Sequence, residues 1–157
     1  MKKKIIVLAA IFILPLAALA AQQQAFTLLS FDMGSSFTYA VGDEGDDELG
    51  SYSSFGINLR VTCPLSVGFV YRNGADPAMA GSLFRMNYDV TDLVRLSLGF
   101  GNDGTDVVTA MGLELIPFRR AVGGLFTEFK MLFDYDMPVE SPDSGHLSFG
   151  MAVSIGL

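Results

Sequence analysis

The sequence predicts an all-β chain, a closed eight-stranded antiparallel up-and-down transmembrane β-barrel behind an N-terminal signal peptide. Three observations carry the prediction. The first twenty residues have the layout of a secretory leader, apolar residues then alternate with small or polar ones through the remainder, and the connections are short and long in turn. A length of 157 residues fits one domain. A chain 50% hydrophobic and only 17% charged buries enough apolar surface to offset its ordering entropy, which excludes a disordered protein.

Lys2, Lys3 and Lys4 precede an apolar run from Ile5 to Leu14, which closes on Ala18-Leu19-Ala20 before Gln22-Gln23-Gln24. A basic start, a short apolar core and a small-residue exit are the parts of a cleaved leader. The run, interrupted by Pro15, is too short for a spanning helix of roughly 20 apolar residues. Cleavage after Ala20 is expected, dividing the chain into a signal peptide, 1–20, and a barrel, 21–157. No cysteine follows the run to take a lipid anchor. Losing the leader removes three of ten basic residues, so 7 stand against 17 acids, a net −10 with Lys130 the only lysine. Soluble surfaces use lysine freely, so this scarcity argues against an all-round aqueous surface. The negative balance excludes nucleic acid as an expected partner, and the lone Cys63 excludes a disulfide framework.

Period two then runs the length of the mature chain, and successive strand side chains point to opposite faces. Residues 26–41 place Thr27, Leu29, Phe31, Met33, Phe37, Tyr39 and Val41 on one face. Residues 51–62 set Phe55, Ile57, Leu59 and Val61 against Gly56, Asn58, Arg60 and Thr62. In 66–72, Val67, Phe69 and Tyr71 oppose Ser66, Gly68 and Arg72; in 82–90, Phe84, Met86, Tyr88 and Val90 oppose Arg85, Asn87 and Asp89. Residues 94–101 alternate Val94, Leu96, Leu98 and Phe100 with Arg95, Ser97, Gly99 and Gly101. Residues 107–116 set Val107, Thr109, Met111, Leu113 and Leu115 against Ala110, Gly112 and Glu114. Residues 124–136 set Thr127, Phe129, Met131, Phe133 and Tyr135 against Gly124, Glu128, Lys130, Asp134 and Asp136. The last strand alternates Leu147, Phe149, Met151, Val153, Ile155 and Leu157 with Ser148, Gly150, Ala152, Ser154 and Gly156.

Tight turns are expected at 63–65, 91–93 and 117–120, and longer loops rich in Gly, Asp, Asn or Pro at 42–50, 73–81, 102–106 and 137–145. Short turns at one end and longer loops at the other mark a bacterial outer-membrane barrel with both termini in the periplasm. Closure satisfies the edges that a bilayer leaves without water. Alternation alone does not say which face meets solvent. The polar face decides: Gly, Ser, Ala and Asn with isolated charges suit a filled lumen, whereas an aqueous surface would carry many Lys and Glu.

In pattern the mature region resembles the small eight-stranded outer-membrane β-barrel proteins, the outer-membrane protein X and opacity-type barrels. The hairpin through Tyr88, Asp89, Thr91, Asp92, Arg95 and Phe100 and the final strand from Ser148 to Leu157 carry the resemblance. It implies outer-membrane lipid as surroundings and insertion by the barrel-assembly machinery, which reads the last strand in such families. Here that strand ends Ile155-Gly156-Leu157, hydrophobic but without the usual terminal aromatic. A monomer in the cell outer membrane is expected.

Charges on the polar face are expected to meet inside. Arg60, Arg72, Arg85, Arg95 and Lys130 stand against Asp32, Asp89, Glu114, Glu128, Asp134 and Asp136. Eight strands leave a bore just wide enough for side chains to fill, so a salt-bridged plug is expected and a solute porin, which takes about 16 strands, is excluded. A turn at 91–93 makes 90 face 94 and 89 face 95, placing Asp89 opposite Arg95.

Chemistry is sparse. His146 and Ser148 form His-x-Ser, a motif also carried by eight-stranded lipid A deacylases, and Asp134 and Asp136 are expected to face them. Strand phase turns the pair inward, away from a lipid substrate, and the fuller motif is absent, so no catalytic residue is assigned. Asp43, Glu44, Asp46, Asp47 and Glu48 crowd the first long loop without the ligand order of an EF-hand. They read as a solvated acidic surface, able to bind a basic partner or bridge cations. No metal or cofactor is expected. The expected role is structural or surface-interactive through the extracellular loops; the alternatives are a narrow ion channel through the lumen and a soluble periplasmic lipocalin-like ligand-binding barrel.

Overall fold

A computed structural model describes residues 28–41, 49–75, 80–122, 124–142 and 144–157. The leader and the acidic run 43–48 lie outside these residues. The described chain forms β1 (Leu29–Val41), β2 (Leu49–Arg60), β3 (Leu65–Gly74), β4 (Gly81–Asp89), β5 (Val94–Asn102), β6 (Val107–Val122), β7 (Leu125–Pro138) and β8 (Gly145–Gly156). Each strand pairs antiparallel with the next, and β8 returns to β1 from Ser30↔Gly156 to Val41↔Gly145, closing the barrel. Strands of this length cross a bilayer, which takes about 9–11 tilted residues.

Both described ends of the chain lie at the short-turn end, where Leu28 N donates to Leu157 O at 3.0 Å. The turns 61–64 and 90–93 share one bonding pattern: Val61 N donates to Leu65 O and Val90 N to Val94 O, each at 2.9 Å. Thr91 Oγ1 accepts from Leu93 N at 3.2 Å and Val94 N at 3.1 Å, which locks the second turn. Arg95 lies directly opposite Asp89.

Alternation sorts the two faces sharply. Met33 is 63% exposed and Phe37 60%, while Lys130 is 1% and Glu128 2% exposed. Large apolar groups point out and charges point in, the inverse of a soluble barrel, so the lipocalin-like alternative is overturned. An apolar inner cluster of Leu83, Val108 and Ala110 sits toward the long-loop end of β4 and β6.

One expected turn is corrected. The strand predicted to stop at 116 runs on to Val122, and 117–120 is strand rather than turn. Register slips between Leu115 and Phe118, then resumes with Phe118↔Phe129 and Arg119↔Glu128. Ile116 turns inward, fully buried, and the irregularity tolerates Pro117, which has no N–H to give the ladder. The true reversal lies between Val122 and Leu125, where Gly124 has φ +87°. A two-residue hairpin needs such left-handed backbone, and glycine takes it without strain.

Candidate functional site

Strand phase sends twelve charged side chains into the lumen, where they divide into two tiers. Near the long-loop end, Arg72 of β3 binds Asp136 of β7 in a close ion pair and lies 3.9 Å from Asp134. Arg85 of β4 reaches across to Asp134 at 2.8 Å. The Arg72 guanidinium also stacks on the Tyr52 ring, 4.9 Å from its centroid. Two cations face two carboxylates, and the tier is neutral.

Toward the short-turn end, Arg95 of β5 is the hub. Its Nε pairs with Asp89, and its Nη1 lies 3.3 Å from both Glu114 and Glu128. Lys130, 1% exposed, binds Asp32 at 2.8 Å and lies 3.6 Å from Glu114 and from Glu128. Arg60 closes the rim, donating to Asp89 at 3.0 Å and to the Cys63 carbonyl at 3.1 Å. Arg119 pairs with Glu128 at 2.8 Å and reaches Asp92 at 3.5 Å. Four cations, Arg60, Arg95, Arg119 and Lys130, face Asp32, Asp89, Glu114 and Glu128, so this tier is neutral too.

All nine side chains expected in the ion network, Arg60, Arg72, Arg85, Asp89, Arg95, Glu114, Glu128, Lys130 and Asp134, lie in these tiers, as do Asp32 and Asp136. Sequence reasoning missed Arg119, having placed it in a turn. The Gly123-Gly124 pair was the available signal that the reversal lay further on. Adding Arg119 turns five cations against six anions into six against six.

Glycine makes room for these long side chains. A Cβ on Gly112 would collide with Asp134 Oδ1 and Ser97 Oγ, so any larger residue there would push the Arg85 partner aside. Desolvated charges of this kind persist because partners surround them. Removing one partner from a buried pair typically costs about 3–5 kcal/mol.

His146 lies opposite Asp136 and Ala40, and Ser148 opposite Asp134 and Thr38. The Ser148 hydroxyl donates to Thr38 Oγ1 at 2.9 Å, and Ser148 is 2% exposed. Arginines engage both aspartates. The parts of a hydrolase are neighbours, yet the serine is bonded to threonine and faces the lumen.

The long-loop end carries a different charge. By sequence, the segments that join strands there hold Asp43, Glu44, Asp46, Asp47, Glu48, Asp76, Asp103, Asp106, Glu140 and Asp143, with no lysine or arginine, and of these Asp103, Asp106 and Glu140 lie among the described residues. Asp103 serves its own loop: Oδ1 accepts from Thr105 N at 3.0 Å and Asp106 N at 2.9 Å.

Apolar exterior, charged interior and closed eight-strand sheet together define a small transmembrane β-barrel of the outer-membrane type. No protein-family model and no curated protein matches the sequence. Among solved structures, the fold is similar to Ail, the attachment invasion locus protein of Yersinia pestis, with TM-score 0.51, 9% identity, and coverage of 82% of this chain and 97% of that one. It is also similar to Neisserial surface protein A, NspA, with TM-score 0.50, 12% identity, and coverage of 85% of this chain and 100% of that one. Both are small eight-stranded outer-membrane barrels, and at these identities the likeness is one of fold.

Proposed function

We propose that the protein is a monomeric, non-catalytic outer-membrane barrel that acts through its outer loops on a cationic partner. The secretory leader and the fold support this location, with the short-turn end in the periplasm and insertion by the barrel-assembly machinery. One count from the sequence carries the reading: with the leader removed, the net charge of 21–157 falls on the segments that join strands at the long-loop end. The lumen cancels six against six, and Asp92 cancels Arg120 at the short-turn end. Ten uncompensated carboxylates remain on the long-loop connections. So one-sided a rim attracts polycations and repels anionic surfaces over about a Debye length, roughly 8–10 Å at physiological salt.

Attachment is the property named for the Yersinia neighbour. Here the charge of the rim supports a surface role of that general kind. The channel reading requires charged side chains free to pass an ion, whereas each lumen cation holds a carboxylate.

Binding of a fluorescent oligolysine peptide to the barrel reconstituted in neutral-lipid vesicles tests the proposal. Binding at low salt is expected, with loss both at high salt and in the variant carrying Asp43→Asn, Glu44→Gln, Asp46→Asn, Asp47→Asn and Glu48→Gln. Equal binding by that variant would overturn it.

A further inference from the structure

Between the two ion-pair tiers lies a cavity of about 30 Å³, whose lining includes Asp32, Asn58, Arg85, Asn87 and Glu114. Asp32 and Glu114 belong to the tier near the short turns, and Arg85 to the other. The cavity is therefore the junction of two clusters that share no direct ion pair.

Hydrogen-bond accounting around it is specific. Lys130 Nζ donates to Asp32 Oδ2 at 2.8 Å, and Asn58 Nδ2 donates to the same oxygen at 2.9 Å. Asn87 Nδ2 in turn donates to Asn58 Oδ1 at 3.0 Å. The negative charge on Asp32 thus sets the orientation of both amides, leaving Asn87 with its oxygen unspent. Three buried atoms among the lining residues make no hydrogen bond of good geometry, Asp32 Oδ1, Asn87 Oδ1 and Arg85 Nε, although the Ser154 hydroxyl also serves the Asp32 carboxylate from the neighbouring strand. Two are acceptors and one is a donor.

We propose that this cavity is a binding site for an ordered water molecule, which donates to Asp32 Oδ1 and Asn87 Oδ1 and accepts from Arg85 Nε. A buried water typically makes about three hydrogen bonds and needs roughly 10–15 Å³. The cavity has room for one water, and water offers the two donors and one acceptor that the lining lacks. A metal cation has nothing to accept the Arg85 Nε proton and would sit beside two further positive charges, Arg85 and Lys130. An anion would meet Asp32 and Glu114. The water joins the tiers into one continuous network, making the plug a hydrated seal, with Asn87 positioning the ligand.

A crystal structure of the refolded barrel at a resolution that shows ordered water is the direct test. A single peak within hydrogen-bond distance of all three atoms is expected, and the same crystals soaked in a thallium salt should show no anomalous signal there. A thallium peak, or direct protein pairing of Arg85 Nε with no solvent density, would overturn the proposal. Solution NMR supplies a second readout. The Arg85 Nε–H signal should exchange magnetisation with a long-lived water, and Asn87→Leu should abolish that cross-peak while the resonances of Arg72 and Asp136 stay in place. Persistence of the cross-peak in Asn87→Leu would remove Asn87 from the site.

Discussion

The partner an inward side chain holds decides what its loss costs. Arg85 is 5% exposed and its Nη2 pairs with Asp134 Oδ2, itself on a residue 3% exposed, at 2.8 Å. Truncating one member leaves a carboxylate in a site that water reaches poorly, so Arg85→Met is expected to destabilise the folded barrel by about 3–5 kcal/mol. Removing the pair together has a different sign of argument. In Arg85→Met with Asp134→Leu no uncompensated charge remains, and Arg72 keeps Asp136, so the double variant should recover most of that loss. Urea unfolding followed by gel mobility of the refolded protein measures both. A double variant as unstable as the single would show that the charges, once paired, matter less than the space they fill. Phase in each strand made these partners legible in the sequence, because alternation alone assigns a charge to the inner face. Distances across the bore were not legible. Lys130 meets Asp32 from a strand two places away around the barrel, through β8, a contact fixed by bore diameter and not by chain spacing.

At the scale of the strand, β6 shows where period two stops being a sufficient guide. Leu115 faces out, Ile116 faces in, and the next outward residue paired across the ladder is Phe118. A break in alternation beside a proline reads as a turn, and only the pairing partner on β7 reveals a bulge instead. The consequence reaches the lumen, since continuing the strand is what brings Arg119 opposite Glu128. The other hairpins were legible because their turns interrupt neither face early: Thr91 caps the reversal that sets Asp89 against Arg95. The β6–β7 reversal gives a prediction at this scale. Gly124, at φ +87°, occupies backbone that a β-branched residue avoids, so Gly124→Val should cost roughly 1–2 kcal/mol. Gly124→Asn should cost far less, because asparagine visits that region. Nothing lies within 4 Å of a Cβ there, so the two variants differ in backbone strain alone. Thermal unfolding of the two refolded variants checks the difference, and equal midpoints would place the reversal elsewhere.

For the whole molecule, charge divides along the chain: the lumen sets six cations against six carboxylates, whereas the segments that join strands at the long-loop end carry ten acids and no lysine or arginine. Both the location and the sum come from the order of strands along the chain, which is why composition alone hid them behind a net −7. The lumen's own neutrality bears on whether ions pass. An ion entering from the long-loop side would have to part Arg72 from Asp136 and Arg85 from Asp134, each a desolvated pair, and then cross the Arg95 and Lys130 hub. Leu83, Val108 and Ala110 add an apolar obstruction near the same end. The intact barrel in a planar bilayer should therefore show no steady unitary conductance. Arg72→Ala with Arg85→Ala removes both guanidinium groups from one tier and leaves Asp134 and Asp136 lining the freed space. That variant should admit a leak that prefers cations, read as a shift of reversal potential in a salt gradient. Discrete conductance by the unaltered protein would show that the pairs open at little cost and would restore the narrow channel as its function.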